Sequence, residues 1–248
     1  MSKIVLTAAS RVGCVRSNNE DMVLAYDKLL RSDVYATEFM TENSDRFVIA
    51  LADGMGGHNA GEVASSDTLT NLQFFVNDLP SGLAIGEFDE MLMMWLQSIN
   101  QIITSKGHVN PAMAEMGTTL VGVVYYNKKY FWMNCGDSRL YRLRGGRLSQ
   151  LSTDHSLNNV HGEKKHSNII TNCIGAGCKN SYMDLFEFTA DVKSGDSYLL
   201  CSDGLNDMVK DEVIEKLMNE GASANRLCEA AIEAGGYDNV SACVFTIE

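Results

Sequence analysis

Apolar and polar residues follow one another along this chain with two periods, one typical of strands and one typical of helices. Runs in which every residue or every second residue is apolar predict strands over 4–10, 22–26, 47–52, 119–126, 130–135, 140–143, 147–151, 183–188, 197–202 and 240–247. The dipeptides Asn127-Lys128 and Gly145-Gly146 lie between neighbouring runs and predict tight hairpin turns.

Apolar residues at helical spacing predict four helices. The first begins at Ala60 and ends near Leu79, and the second carries a core-facing stripe formed by Phe88, Met91, Leu92, Trp95, Ile99, Ile102 and Ile103. A third helix is expected to turn Val213, Ile214, Leu217 and Met218 inward. A fourth buries Leu227, Cys228 and Ala231 and stops at Gly235-Gly236.

Two segments lack a clear period. Residues 27–45 are mixed and polar, so we expect a surface insertion, and residues 154–179 are expected to form a loop. Strands lying between two pairs of helices predict an α+β fold in which helices pack outside a sandwich of two sheets. No Gly/Ser/Pro-rich linker divides the chain, which favours a single domain over 1–248.

Acidic residues recur at the ends of the predicted strands. Asp53 follows the buried run 47–52 and is itself followed by Gly54, in a loop whose four glycines allow the backbone to approach a ligand closely. The other acidic strand ends are Glu20 and Asp21, Asp137, Asp203 and Asp238. One such aspartate is typical of an ordinary turn, whereas acidic residues at five strand ends indicate a site.

The amino-acid composition and net charge limit the partners and the cellular compartments expected for this chain. The chain is 45% hydrophobic with 2 prolines, which is typical of a compact globule. A net charge of −12 without a Lys/Arg run argues against nucleic acid and anionic membranes as partners. No apolar run approaches the roughly 18 residues that span a membrane, and residues 4–6 are too short a run for a signal-peptide core.

The 7 cysteines are scattered without a C-x-x-C pair, and most lie in apolar runs. This pattern predicts buried free thiols and a reducing, cytoplasmic location. Cys173 and Cys178 flank a glycine-rich turn, where a labile thiol pair is an open alternative.

The acidic residues are oxygen donors, and these motifs contain no cysteine or histidine ligand pattern. Such donors select Mg²⁺ or Mn²⁺, with Ca²⁺ also open, over Zn²⁺ or copper. Two metals about 3.5–4 Å apart that share Asp53 would hold a bridging water, which is a common arrangement for phosphate-ester hydrolysis. Arg16 is placed to bind two phosphate oxygens.

Seven segments together resemble the metal-dependent protein phosphatases of the PPM family, the type 2C serine/threonine phosphatases, and in particular their bacterial branch. In order they are 16–21 (RSNNED), 52–65 (ADGMGGHNAGEVAS), 117–122 (GTTLVG), 134–139 (NCGDSR), 154–156 (DHS), 200–205 (LCSDGL) and 238–240 (DNV). They cover nearly the whole chain. The resemblance implies a four-layer α-β-β-α sandwich, with two antiparallel sheets flanked by helix pairs and a metal cleft at one end.

The resemblance also implies the site and its partners. It implies two Mg²⁺ or Mn²⁺ ions bridged by Asp53, with Asp21, the Gly54 carbonyl, Asp203 and Asp238 as further ligands. By the same resemblance Asp137 and Asp203 hold a weaker third metal, Glu20 holds metal-bound water and Arg16 binds phosphate. The implied activity is hydrolysis of phosphoserine or phosphothreonine in protein substrates by attack of a metal-bridging water on phosphorus, and a serine/threonine kinase would act in opposition.

Two departures from the family pattern concern the general acid and the flap. Many eukaryotic members have a histidine directly after the Asp-Gly, where this chain has Met55. His58 lies later in the same loop and is a candidate for contact with the substrate. The flap after residues 154–156 is abbreviated here, around 156–172.

Three other functional classes compete with a phosphatase. A regulatory or binding member of the same fold with little turnover is the alternative, although Asp53, Asp203 and Asp238 are all present. A nucleotide-binding module lacks support because no G-x-x-x-x-G-K-[ST] loop occurs. A calcium-binding structural domain lacks EF-hand spacing.

Overall fold

Two six-stranded antiparallel sheets form the centre of the molecule. The structure is a computed structural model that describes residues 2–56, 60–157 and 169–248. In chain order the strands are β1 (Lys3–Arg11), β2 (Met22–Ala25), β3 (Lys28–Leu30), β4 (Val34–Met40), β5 (Arg46–Ala52), β6 (Gly54–Met55), β7 (Gly117–Thr118), β8 (Leu120–Tyr126), β9 (Lys129–Cys135), β10 (Arg139–Arg144), β11 (Arg147–Gln150), β12 (Ile174–Gly175), β13 (Asp184–Glu187), β14 (Asp196–Cys201) and β15 (Val240–Ile247).

The helices are α1 (Gly61–Asp78), α2 (Ile85–Val109), α3 (Asp203–Asn206), α4 (Asp211–Asn219) and α5 (Ala224–Glu233). The first sheet has the order β11-β10-β14-β15-β1-β4, and the second has the order β13-β9-β8-β5-β2-β3. A small third sheet, β12-β7-β6, lies beside the loop that follows β5. The predicted hairpins at 127–128 and 145–146 are confirmed, with all four residues at positive φ.

Three layers of apolar side chains separate the four layers of backbone. Leu6 and Phe245 of the first sheet pack against the second sheet, which supplies Ile49 and Val123. Helices α1 and α2 cover the outer face of the second sheet, and α4 and α5 cover the outer face of the first. The predicted α-β-β-α sandwich with two antiparallel sheets is therefore confirmed.

The prediction of a surface insertion over 27–45 is wrong. This segment contains β3 and β4, and β4 pairs along its whole length with β1 at the edge of the first sheet. In β4 the polar pair Thr37-Glu38 interrupts the apolar residues, so the segment shows neither an unbroken apolar run nor a regular strand period. Tyr35 and Phe39 alternate inward and pack against the core between the sheets.

Smaller differences concern single side chains and one short strand. Ile102 and Val213, both predicted to face the core, are 43% and 46% exposed because they lie at the margins of their helical stripes. Within the loop predicted over 154–179, Ile174 and Gly175 pair with Thr118 and Gly117 as β12. Two residues are too few to produce a strand period in the sequence.

Within the described ranges, no helix combines the length and the apolar character needed to cross a lipid bilayer.

Candidate functional site

The predicted acidic residues come together at one end of the sandwich. Met22 pairs with Ala52, so Asp21 before β2 and Asp53 after β5 leave the second sheet at the same edge. In the first sheet Cys201 pairs with both Arg139 and Ala242, which aligns the corresponding ends of β14, β10 and β15. Asp203, Asp137 and Asp238 lie beside those three ends.

The charges of these carboxylates affect one another. Burial raises the pKa of Asp53 well above its usual value, and the charges of Asp21, Asp203, Asp137 and Asp238 raise it further. Burial, followed by the charges of Asp137 and Asp238, raises the pKa of Asp203 to about 8. Among the described residues no three acidic, histidine or cysteine side chains form a ready ligand set for one ion. The carboxylates therefore lie close enough for their charges to repel one another, although no three of those described converge on a single metal position.

Asp21 is the most deeply buried member of the group. Its side chain is 0% exposed, and burial raises its pKa to about 6 even though hydroxyl groups donate to it. Ser202 Oγ donates to Asp21 Oδ2 at 2.8 Å, and Ser202 Oγ in turn accepts the Ser241 N–H at 3.0 Å. Asp21 Oδ1 is buried without a hydrogen-bond donor. An orphaned carboxylate oxygen among other carboxylates fits a hard divalent cation.

The loop after β5 depends on Gly54. A Cβ at this position would lie 2.3 Å from the Gly61 carbonyl oxygen and 2.6 Å from the Glu20 carbonyl oxygen, so no larger residue fits. Thr119 fixes the preceding residue, since its Oγ1 accepts the Asp53 N–H at 3.0 Å and its N–H donates to the Asp53 carbonyl at 2.9 Å. The close packing of three backbone segments holds Asp53 and Gly54 beside Glu20.

Glu20 lies between the start of α1 and the last strand. Its carboxylate accepts the Gly61 N–H, while burial and the charge of Glu62 raise its pKa. Its own N–H donates to Asn239 Oδ1 at 2.8 Å. Asn239 Nδ2 donates to the carbonyls of Val12 and Asn18 at 2.9 and 2.8 Å. Asn239 therefore ties the 16–21 segment to the strand that Asp238 precedes.

Arg16 is exposed at the edge of this acidic group. Its Nη2 lies 2.7 Å from Asp238 Oδ2, and this hydrogen bond raises the pKa of the guanidinium. The charges of Glu20 and Asp53 act on Arg16 in the same direction. Its side chain is 54% exposed, so it faces solvent while remaining next to the carboxylates.

The Asp137 loop is held by one buried and one partly buried contact. His155 Nδ1 accepts the Gly136 N–H at 3.1 Å. Arg139 makes a forked ion pair with Asp154, with nitrogen–oxygen distances of 2.7 to 3.0 Å. Burial and the charge of Asp154 raise the pKa of Asp137 to about 6.

Other predicted features lie outside the described residues. His58 falls within 57–59, and most of the abbreviated flap falls within 158–168. Met55 is described and forms β6 with Gly54.

Several supporting residues were not identified from the sequence. Ser202 and Asn239 adjoin the acidic motifs, and their neighbours Asp203 and Asp238 could have drawn attention to them. Thr119 lies in the segment 117–122, whose role the pattern did not reveal. Arg31 lies in the segment taken for an insertion, and nothing in its local sequence indicates a role.

Comparison with known proteins agrees with this architecture. Residues 25–232 match the family model described as protein phosphatase 2C. The chain is 34% identical to the serine/threonine protein phosphatase PstP of Mycobacterium tuberculosis over an alignment of 253 positions, which covers 97% of this chain and 45% of PstP. It is 32% identical to the protein phosphatase PhpP of Streptococcus pneumoniae over an alignment of 254 positions, which covers 95% of this chain and 94% of PhpP.

A solved structure has the same fold. The catalytic domain of PstP, in complex with two manganese ions, superimposes with a TM-score of 0.77 at 32% identity, covering 100% of this chain and 99% of that one. The fold and the cluster of carboxylates define a phosphatase-type α-β-β-α sandwich. The chain belongs to the protein phosphatase 2C family. It spans about half the length of the PstP proteins that it matches.

Proposed function

We propose that this chain is a metal-dependent protein phosphatase that hydrolyses phosphoserine and phosphothreonine in proteins. Residues 1–248 form one phosphatase domain in this proposal, which the match to the catalytic domain of PstP supports. The observation that carries the proposal is the acidic group at one end of the sandwich, where Asp21 Oδ1 is buried without a donor. Carboxylates so placed need cations to remain ionised together.

Two Mg²⁺ or Mn²⁺ ions fit the donors present. Asp21, Asp53, the Gly54 carbonyl, Asp203 and Asp238 would hold them, and Asp137 with Asp203 would hold a weaker third. The two manganese ions in the PstP structure support this assignment. When bound, such ions supply positive charge that neutralises phosphate oxygens and makes water a better nucleophile.

The remaining residues bind and orient the reactants. Arg16 is exposed and already oriented by Asp238, so its guanidinium is available to bind phosphate oxygens at the mouth of the site. Glu20 accepts the Gly61 N–H and keeps further lone pairs with which to orient water. His58 is kept as a weaker proposal for substrate contact.

The partners follow from this chemistry. The substrates would be phosphoproteins, and a serine/threonine kinase would act in opposition. Nucleic acid and membranes are not expected as partners because the net charge is −12. A cytoplasmic location is supported by the free thiols, since five of the seven cysteines are buried and unpaired.

Release of phosphate from a phosphothreonine peptide tests the proposal. We expect turnover with millimolar Mn²⁺ or Mg²⁺, its loss in EDTA, and its recovery when metal is restored. Asp53→Asn, purified in parallel, controls for a contaminating phosphatase and should be inactive. Turnover in metal-free buffer would contradict the proposal. Binding of metal and peptide without release of phosphate would instead support a regulatory member of the fold.

A further inference from the structure

Arg31 is a second arginine beside the acidic site: it contacts Asp21, whereas Arg16 contacts Asp238. It directly follows β3, and its half-buried guanidinium makes three hydrogen bonds. Nε donates to the Asp21 carbonyl at 2.9 Å. Nη2 donates to the Glu62 carbonyl at 2.8 Å and to Ser65 Oγ at 2.9 Å. Two of its three acceptors are therefore main-chain oxygens, which no titration or rotamer change removes.

These acceptors belong to two separate parts of the site. Asp21 lies in the segment before β2, whereas Glu62 and Ser65 lie in the first turns of α1. Ser65 Oγ donates onward to the Glu20 carbonyl at 2.5 Å, so the bridge continues to the neighbouring residue. Arg31 thus joins the Glu20–Asp21 segment to the helix that begins where the Gly54 loop ends.

The charge of Arg31 does not by itself favour a metal site. Its guanidinium acts electrostatically on Glu62, Asp21 and Glu20, and burial lowers its pKa. A fixed positive charge this close to carboxylate ligands repels a divalent cation. If charge alone mattered, removal of Arg31 would strengthen metal binding. If position matters more, removal would weaken metal binding, because the two parts of the ligand set would no longer be held in register.

We propose that Arg31 is a positioning residue that fixes the Glu20–Asp21 segment against α1 and thereby sets the affinity of the site for divalent cations. The inference rests on the metal site of the proposed function. It also gives the segment 27–45 a role in the metal site, because this segment contains Arg31 directly after β3.

Titration of the metal-free protein with Mn²⁺, followed by calorimetry or by the electron paramagnetic resonance of free Mn²⁺, tests this role without any substrate. Arg31→Lys keeps the charge but cannot reach three acceptors, and Arg31→Gln removes the charge. We expect both variants to bind Mn²⁺ about 10-fold or more weakly, in the range found for residues that orient metal ligands. Ser65→Ala should also weaken Mn²⁺ binding, but by a smaller factor.

Arg46→Lys is a matched control at the other end of the same helix. Arg46 also joins a strand to α1, donating to the Leu79 carbonyl and to Ser81 Oγ, and it pairs with Asp45. Its substitution should lower the melting temperature and leave Mn²⁺ affinity unchanged. This comparison separates a general loss of stability from a change at the metal site.

Two results would overturn the proposal. Unchanged affinity in Arg31→Lys, or tighter binding in Arg31→Gln, would show that Arg31 acts only as a charge or as a structural contact. Wild-type protein that binds no Mn²⁺ would overturn both this proposal and the metal-dependent function. Wild-type protein that binds Mn²⁺ but releases no phosphate would contradict only the function, and the variant titrations would still decide the role of Arg31.

Discussion

Arg16 Nη2 lies 2.7 Å from Asp238 Oδ2, and Asp238 Oδ1 accepts the Asn239 N–H at 2.8 Å. The residue proposed to bind phosphate is therefore held by a residue proposed to bind metal. Each Asp238 oxygen has further lone pairs, so these contacts leave room for a cation. This arrangement orients the exposed guanidinium before any substrate arrives and reduces the ordering that substrate binding requires.

Substitution of Arg16 should affect substrate binding more than metal binding. We expect Arg16→Ala to raise KM for a phosphothreonine peptide about 10-fold, since a charge-assisted hydrogen bond to phosphate is lost. Mn²⁺ affinity should hold or rise, because a competing cation leaves Asp238. Steady-state kinetics and a Mn²⁺ titration measure the two effects, with Arg147→Ala on the exposed strand β11 as the control. An unaltered KM would make Arg16 an ordinary surface residue.

Asn239 should contribute to stability as well as to the geometry of the site. Its side chain makes three hydrogen bonds and is 5% exposed, so Asn239→Ala leaves the Glu20 N–H and two carbonyls without partners. We expect a loss of about 2–3 kcal/mol in the free energy of unfolding, measured with urea in EDTA. The exposed Asn180→Ala should change it by less than about 0.5 kcal/mol. An equal loss of stability in the two variants would contradict a stabilising role of the three Asn239 hydrogen bonds.

The pH dependence of stability should have an unusual sign in the metal-free protein. Burial and neighbouring charges raise the pKa of Asp203 to about 8 and that of Asp137 to about 6, from 3.8. The folded chain then holds protons that the unfolded chain has released. Their contribution to stability is present below about pH 4 and is lost as the pH rises towards 8.

Urea unfolding in EDTA at several pH values between 5 and 8 measures this effect. Stability should fall with pH in the wild type and fall less in Asp203→Asn. Saturating Mn²⁺ should offset the fall, since the cation replaces the protons. Identical pH slopes for the wild type and Asp203→Asn would show that this carboxyl does not hold such a proton.

Thiol reactivity should distinguish the cysteines by burial. Cys14 is exposed and Cys178 is partly buried, whereas burial raises the pKa of Cys173 and of Cys228 to about 12. We expect one fast reaction with an aromatic disulfide reagent, at Cys14, and reaction of the buried thiols only on unfolding. Cys14→Ser should abolish the fast phase. Rapid reaction at Cys173 would favour the labile pair with Cys178.

The layers could be predicted from sequence because they depend on periodic burial. Strands such as β5 and β8 are covered on both faces and consist almost entirely of buried apolar residues, and the two long helices show helical stripes. The edge strand β4 was missed because Thr37 and Glu38 interrupt its apolar residues, which leaves no regular strand period. Its place is determined by pairing with β1, and the partner of a strand cannot be read from its local sequence.

The acidic residues could be predicted for a different reason. A strand end is a local feature, so Asp53 and Asp203 were recognisable beside their glycines. Arg31 was not, because its bonds to Asp21, Glu62 and Ser65 join residues that only the tertiary fold brings together. Long arginine side chains that bond to main-chain carbonyls leave no spacing pattern in a sequence.

Asp203→Asn provides the most direct test of the proposed metal site. Asp203 opens α3, and the preceding Ser202 gives its hydroxyl to Asp21 instead of capping the helix. The substitution keeps the volume of the side chain but removes one negative charge. The test compares Mn²⁺-dependent kcat on a phosphopeptide and thermal stability in EDTA between the wild type and this variant. The metal-site assignment predicts that kcat falls by orders of magnitude, while metal-free stability at neutral pH holds or rises because the folded protein no longer buries a carboxyl whose ionisation the neighbouring charges oppose. A destabilised protein with full activity would contradict it.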